Sequence, residues 1–276
     1  MCSILSRKGY NRIGYRGGRM QTRVYKDYKK ACLAISNYMI YKINQGAIRN
    51  LGLATGSTYI YTYYLMHQAF VEGRVDFSDI QTFNLDEYID IDRSHPQTYH
   101  HFMRKHFFDY VNVKKENIHF PPVDSGVDYE SYDALIQEKG GLDLVILGIG
   151  VNGHIAFNEP GTPFKTKTHQ ITLTESTREA NKRFFNDEID QVPRFAATMG
   201  IDTIMQAKEV IVSAFGEKKA KAIYQMLRGE VTEDCPASVL QRHPNVKVIL
   251  DEEAAKYIFK KGFKDENINN KYSSRI

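Results

Sequence analysis

Leu142-Asp143-Leu144-Val145-Ile146-Leu147-Gly148-Ile149-Gly150-Val151-Asn152-Gly153-His154 is the stretch that decides the fold. Its first part, Leu142–Ile149, is an apolar run of the kind found in a strand buried on both faces of a parallel sheet. The run then breaks into a glycine-rich turn. Outward from it the same unit recurs: strand, turn, helix. Ile48–Ala54 is a short apolar run ending in Thr55-Gly56-Ser57-Thr58, and Tyr59–Val71 then reads as a helix. Ile80–Leu85 reads as another strand. Val210–Phe215 and Val246–Leu250 repeat the pattern, each followed by a predicted helix, Lys218–Arg228 and Glu252–Phe259. Asp27–Asn44 places Cys32, Ile35, Met39 and Ile43 three and four apart, the spacing of an amphipathic helix. Gln97–Tyr110, entered through His95-Pro96, and Tyr129–Glu138 are also predicted helices. The alternation predicts an α/β fold with a doubly wound, mostly parallel sheet flanked by helices.

Composition sets the outer bounds. The chain has 276 residues, 42% hydrophobic and 25% charged, which excludes wholesale disorder and fibrous architectures. The longest nearly uncharged apolar run, Leu144–Val151, falls far short of the ~18 residues a membrane span needs. The N-terminus shows no signal-peptide pattern. Cys2, Cys32 and Cys235 form no CxxC pair, so the expectation is a reduced, cytoplasmic protein. Residues 1–30 hold nine basic residues and one acid, a local +8, so the rest of a chain of net charge +4 carries −4. This charge sits in a terminal segment, not on a folded face, and gives no expectation of nucleic-acid binding. The domain reading is a basic, flexible extension over 1–19, a single α/β domain over 20–260, and a polar tail over 261–276.

Ligands in doubly wound folds bind outside the carboxyl ends of the strands. The first strand is followed by Thr55, Gly56, Ser57 and Thr58, whose hydroxyls and N–H groups at a helix start suit a phosphate. No Walker A loop occurs anywhere. Arg178 and Lys219 are the cations that could complete a phosphate site, although each alone is more often a solvated surface charge. After Ile80–Leu85 come Asp86 and Glu87. They point opposite ways along an extended chain, so at most one faces the site; there it can serve as general base, and the alternative is a helix cap or a salt-bridged acid. The glycine loop presents Asn152 and His154, with Glu159 five residues beyond, an arrangement that can move protons near neutral pH. Its glycines are out of register with a dinucleotide fingerprint, which disfavours a nicotinamide site. His95, His100, His101 and His106 lack any metal-ligand framework, and no G-x-S-x-G elbow is present.

Several motifs carry a resemblance. TFNLDEY (Thr82–Tyr88), HPQTYHHFM (His95–Met103), GHIAFNEPGTPF (Gly153–Phe164), TREANKRFF (Thr177–Phe185), VPRFAATMG (Val192–Gly200) and LQRHP (Leu240–Pro244) resemble, in order, the glucosamine-6-phosphate deaminase family. The resemblance implies a Rossmann-like fold and conversion of α-D-glucosamine 6-phosphate and water to fructose 6-phosphate and ammonia, in amino-sugar catabolism. It implies His154 as acid–base for ring opening, assisted by Glu159 and Asn152, and Asp86 as the base moving a proton from C2 to C1. It also implies phosphate held by Thr55–Thr58, Arg178 and Lys219, with no metal or organic cofactor. Many members carry Asp where this chain has Asn152. An Asn cannot titrate, so its expected role is to hydrogen-bond His154 and fix its tautomer. The alternatives are a 6-phosphogluconolactonase-like hydrolase, whose pattern lacks FNEP and the DEY segment, and a deaminase acting on galactosamine 6-phosphate. The partner is a small sugar phosphate, with no nucleic acid or membrane, and a homo-oligomer is compatible with the sequence.

Overall fold

A computed structural model describes residues 3–7, 10–17, 20–124 and 126–258. In chain order the elements are β1 (Ser3–Arg7), β2 (Tyr10–Gly17), β3 (Met20–Tyr25), α1 (Tyr28–Asn44), β4 (Asn50–Leu53), α2 (Ile60–Val71), β5 (Gln81–Asn84), β6 (Asp86–Ile89) and α3 (Tyr99–His106). They continue with β7 (Ile118–His119), α4 (Glu130–Glu138), β8 (Leu144–Gly148), β9 (His169–Thr172), α5 (Glu175–Asn181), β10 (Phe195–Thr198), α6 (Ile201–Met205), β11 (Val210–Ala214), α7 (Ala220–Arg228) and β12 (Val246–Asp251).

The central sheet runs β1-β2-β3-β12-β11-β8-β4-β5-β7 and is parallel from β3 to β7. Leu144, Val145, Ile146 and Leu147 of β8 are fully buried, as their unbroken run predicts. β4 and β11 are likewise buried along their whole length. β4 and β8 are neighbours, yet the chain leaves β4 toward β5 on one side and leaves β8 toward β11 on the other. The strand order reverses between them, the place where doubly wound folds bind their ligands. α1 starts where the Asp27 carboxylate accepts the Lys30 N–H at 2.9 Å, and it buries Cys32, Ile35, Met39 and Ile43.

A second sheet, β6-β10-β9, is antiparallel and covers a small core of its own: Tyr88, Phe157, Leu173, Phe185, Val192 and Ala196. Further details differ from the sequence reading. Residues 252–258 form turns, not a helix, with Asp251 accepting the Ala254 N–H at 2.8 Å. α3 begins after Pro96, at the Thr98 cap, whose hydroxyl accepts the His101 N–H at 3.2 Å, and it gives way to a 3-10 turn at Phe108. Lys218 and Lys219 lie in a 3-10 turn ahead of α7. The segment 1–19, expected as a flexible extension, carries β1 and β2, with β2 antiparallel to β3. The tail 261–276 lies outside the described residues.

Candidate active site

The candidate residues lie on the loops after β4 and β8 and at the strand that follows β5. Thr58 leans toward the β8 loop: its Oγ1 lies 3.8 Å from where a side chain on Gly148 would begin. The glycines of that second loop serve the chain itself. A Cβ on Gly150 would fall 2.4 Å from the His154 ring, so only a bare backbone lets the imidazole fold over it. Gly153 has φ +88°, and a Cβ there would meet Cys235 Sγ at 2.6 Å. Its carbonyl accepts the Ala237 N–H at 2.9 Å, which ties the loop to the segment before β12.

His154 is a quarter exposed, and its Nδ1 stands 3.6 Å from Glu159 Oε2, just outside hydrogen-bonding distance. Asn152 Nδ2 donates to that same oxygen at 2.7 Å, and Thr177 Oγ1 donates to Glu159 Oε1. Burial pushes the Glu159 pKa up, but the neighbouring His154, Thr177 and Asn152 outweigh it and hold the carboxyl down at about 2. Asn152 Oδ1 accepts the backbone N–H of His154 at 3.3 Å, not a ring nitrogen. It therefore shapes the loop and anchors Glu159. The tautomer-fixing bond expected from Asn152 is not made: His154 Nδ1 has no hydrogen-bond partner.

Asp86 and Glu87 divide as the alternation predicts. Glu87 Oε1 accepts the N–H groups of Tyr88 and Tyr99, at 2.8 and 2.9 Å, and Oε2 accepts that of His100 at 2.8 Å. It caps α3. Asp86 is 7% exposed, and its buried Oδ1 has no hydrogen-bond partner. Burial first, then the charge of Glu87, pushes its pKa up to about 8. The hydroxyls of Tyr63 and Tyr132 sense its charge but donate elsewhere, to the carbonyls of Ala54 and Asn84. Thr198 faces Asp86 across the second sheet, and its Oγ1 accepts the Phe157 N–H at 3.1 Å. β10 thus joins the Asp86 strand to the His154–Glu159 segment. Asp86 and Glu159 are thus two carboxyls whose pKa values are driven apart by their surroundings, the pattern that separates acid from base roles.

Arg178 and Lys219, the two cations expected at a phosphate, sit in different surroundings. Arg178 donates Nη2 to the carbonyls of Ile189 and Val192, at 2.7 and 3.1 Å, and Nε to Val192 at 3.3 Å. Its guanidinium holds the turn over the second core. Lys219 is half-buried, and its pKa is lowered by burial and by the charge of Arg183. Arg183 is exposed, with its guanidinium 4.7 Å from the Phe184 ring. Arg183 is the charge that acts on Lys219, and two like charges acting on each other favour a bound anion. Arg183 lies in the same quoted motif as Arg178, but position in sequence alone does not choose between them. Among the described residues no group of His, Cys, Asp and Glu could hold a metal ion.

A profile of the glucosamine-6-phosphate isomerases/6-phosphogluconolactonase family matches residues 26–249. The chain belongs to this family. A glucosamine-6-phosphate deaminase of Thermoanaerobacter pseudethanolicus is 49% identical over 211 residues, 75% of this chain and 83% of that protein. One from Halalkalibacterium halodurans is 47% identical over 232 residues, 83% of this chain and 94% of that one. Among solved structures of the family, a monomeric glucosamine-6-phosphate deaminase superposes with a TM-score of 0.81 at 38% identity, covering 85% of this chain and 98% of the other. A 6-phosphogluconolactonase from Trypanosoma brucei gives a TM-score of 0.70 at 20% identity, covering 87% and 99%, and shares the fold.

Proposed function

We propose that this chain is a glucosamine-6-phosphate deaminase: it isomerises α-D-glucosamine 6-phosphate and hydrolyses it to fructose 6-phosphate and ammonia. The observation that carries the reading is the buried Asp86 carboxyl, whose Oδ1 has no partner, on a strand that β10 links to the His154–Glu159 segment. A lactone hydrolase needs an activated water and has no carbon-bound proton to move. An aldose–ketose isomerase needs a base that can take a proton from carbon and give it back, and a carboxyl pushed up to about 8 suits that task near neutral pH.

His154 takes the proton from the anomeric hydroxyl and returns one to the ring oxygen, opening the pyranose. The Glu159 carboxylate, ionised at all working pH values, stabilises the imidazolium formed on the way. Asp86 then removes the C2 proton to give an enolamine and delivers a proton to C1. Water adds to the resulting C2 imine, and the C–N bond breaks to release ammonia. Thr55–Thr58, Lys219 and Arg183 hold the phosphate. The buried free thiols of Cys32 and Cys235 suit a reducing, cytoplasmic setting.

The test is ammonia release, with glucosamine 6-phosphate and galactosamine 6-phosphate side by side and 6-phosphogluconolactone as the third substrate. Ammonia and fructose 6-phosphate from the first support the reading. Lactone hydrolysis without ammonia release overturns it.

The phosphate assignment makes its own prediction. Lys219→Ala and Arg183→Ala each remove a charge-assisted contact present in ground and transition states alike, so KM should rise roughly 10- to 100-fold with kcat little changed. Arg178→Ala frees two partly buried carbonyls instead, and should lower Tm more than it raises KM. A selective KM rise in Arg178→Ala alone would return the phosphate to that residue.

A further inference from the structure

α2 points its N-terminus at the Thr55–Thr58 turn, but the residue at its cap position, Tyr59, supplies no side-chain hydrogen bond. A helix start without a cap leaves N–H groups unsatisfied and free to fray. The missing partner comes from another helix. Tyr28, the first residue of α1, accepts the Tyr61 N–H at 3.2 Å through its hydroxyl oxygen and donates the hydroxyl proton to the Ser57 carbonyl at 3.1 Å. A single phenol therefore fixes both the turn and the first turn of the helix behind it, using its donor and one of its acceptor sites. The ring meets Phe215 edge-on, with centroids 5.0 Å apart and planes at 75°. Phe215 ends the β11 run and leads through Gly216 into the Lys219 turn. Burial pushes the Tyr28 phenol up to about 12, so it keeps the proton that Ser57 accepts.

We infer that Tyr28 is a positioning residue for phosphate: its hydroxyl sets the Thr55–Thr58 turn while its ring, against Phe215, holds that turn in register with the Lys219 loop. The inference rests on the sugar-phosphate reading given above. Tyr28 touches no reacting atom in this account. It acts through backbone groups that would otherwise move independently on two loops, and a phosphate bound by both loops loses affinity when their spacing relaxes.

Tyr28→Phe keeps the ring and removes the hydroxyl. The expected result is that fructose 6-phosphate and inorganic phosphate both bind about 5- to 20-fold more weakly by titration calorimetry, while kcat at saturation stays within about twofold. Tyr38→Phe is the control on the same helix. It removes a hydroxyl that donates to the Glu209 carboxylate, and should alter Tm without altering either affinity. Phe215→Leu leaves the hydroxyl but loosens the ring contact that aims it, and should show the Tyr28→Phe signature at about 2- to 5-fold. Unchanged phosphate affinity in folded Tyr28→Phe or, should that variant not fold, in Phe215→Leu, overturns the inference. So does an equal loss in Tyr38→Phe, which would make the effect one of general stability. Binding needs no turnover, so such a result alongside normal ammonia release leaves the deaminase reading standing. A parent protein that binds neither ligand overturns that reading and this inference together.

Discussion

Asp86→Asn should abolish most activity and, at the same time, make the protein more stable. Loss of a positioned general base costs about 10²–10⁴-fold in rate, and because Asn keeps the shape, KM for glucosamine 6-phosphate should move little. Solvent deuterium should no longer enter C1. The stability gain follows from the pKa. An unfolded Asp titrates near 4, whereas burial and Glu87 push Asp86 up to about 8 in the fold. Between those values the unfolded chain is ionised while the folded one keeps its proton, so stability falls as pH rises through that window and levels off above it. Asn has no proton to lose. The Tm advantage of the variant should therefore grow from about pH 4 to about pH 8 and then stay constant, with a full penalty on the order of 5 kcal/mol. The parent enzyme should show the matching limb: kcat/KM climbing with pH until Asp86 ionises in the free enzyme. Normal deuterium entry at C1, or a Tm difference that does not vary with pH, would remove Asp86 from the role of base.

What the sequence makes legible is governed by how local the determining physics is. β8 can be read because four consecutive large apolar residues tolerate only a site buried on both faces, and α1 because its apolar spacing and its Asp27 cap lie within one short segment. The second sheet is much harder to see. β6, β9 and β10 are four residues each, β6 begins with two carboxylates, and their pairing is decided by contacts between segments far apart in the chain. The turns at 252–258 fail as a helix for a related reason: the Asp251 carboxylate takes both the Ala254 N–H and the Gly216 N–H, so the start of that segment is bound to the Lys219 loop. The neighbours that separate Arg178 from Arg183 are equally remote. Arg178 meets carbonyls at 189 and 192, the charge of Arg183 acts on Lys219, and neither relation has a sequence signature. The division of labour between Asp86 and Glu87 is an intermediate case. Strand alternation says that they part, but only the position of α3 says which one becomes the cap.

His154→Gln should fail at one step and spare another, which separates ring opening from proton transfer between carbons. Gln can hydrogen-bond but cannot gain and lose a proton near neutral pH, so deamination starting from the closed pyranose should fall about 10²–10⁴-fold. Fructose 6-phosphate with ammonia enters from the other end, through the open-chain imine, and needs Asp86 but not ring opening to exchange its C1 proton. Deuterium exchange at C1 in that direction should stay within a few-fold of the parent. Glu159 sharpens the test. Its carboxyl is held at about 2 by His154, Thr177 and Asn152, so it is ionised wherever the enzyme works and contributes no limb of its own to the pH–rate profile. Its part is to keep a negative charge 3.6 Å from Nδ1, beside the ring that moves the proton in ring opening. Glu159→Gln should accordingly slow the forward reaction and leave C1 exchange near normal, the same split as His154→Gln in weaker form. Equal losses in both directions for His154→Gln would place the imidazole at the C2–C1 transfer itself, and Asp86 would no longer suffice as the base.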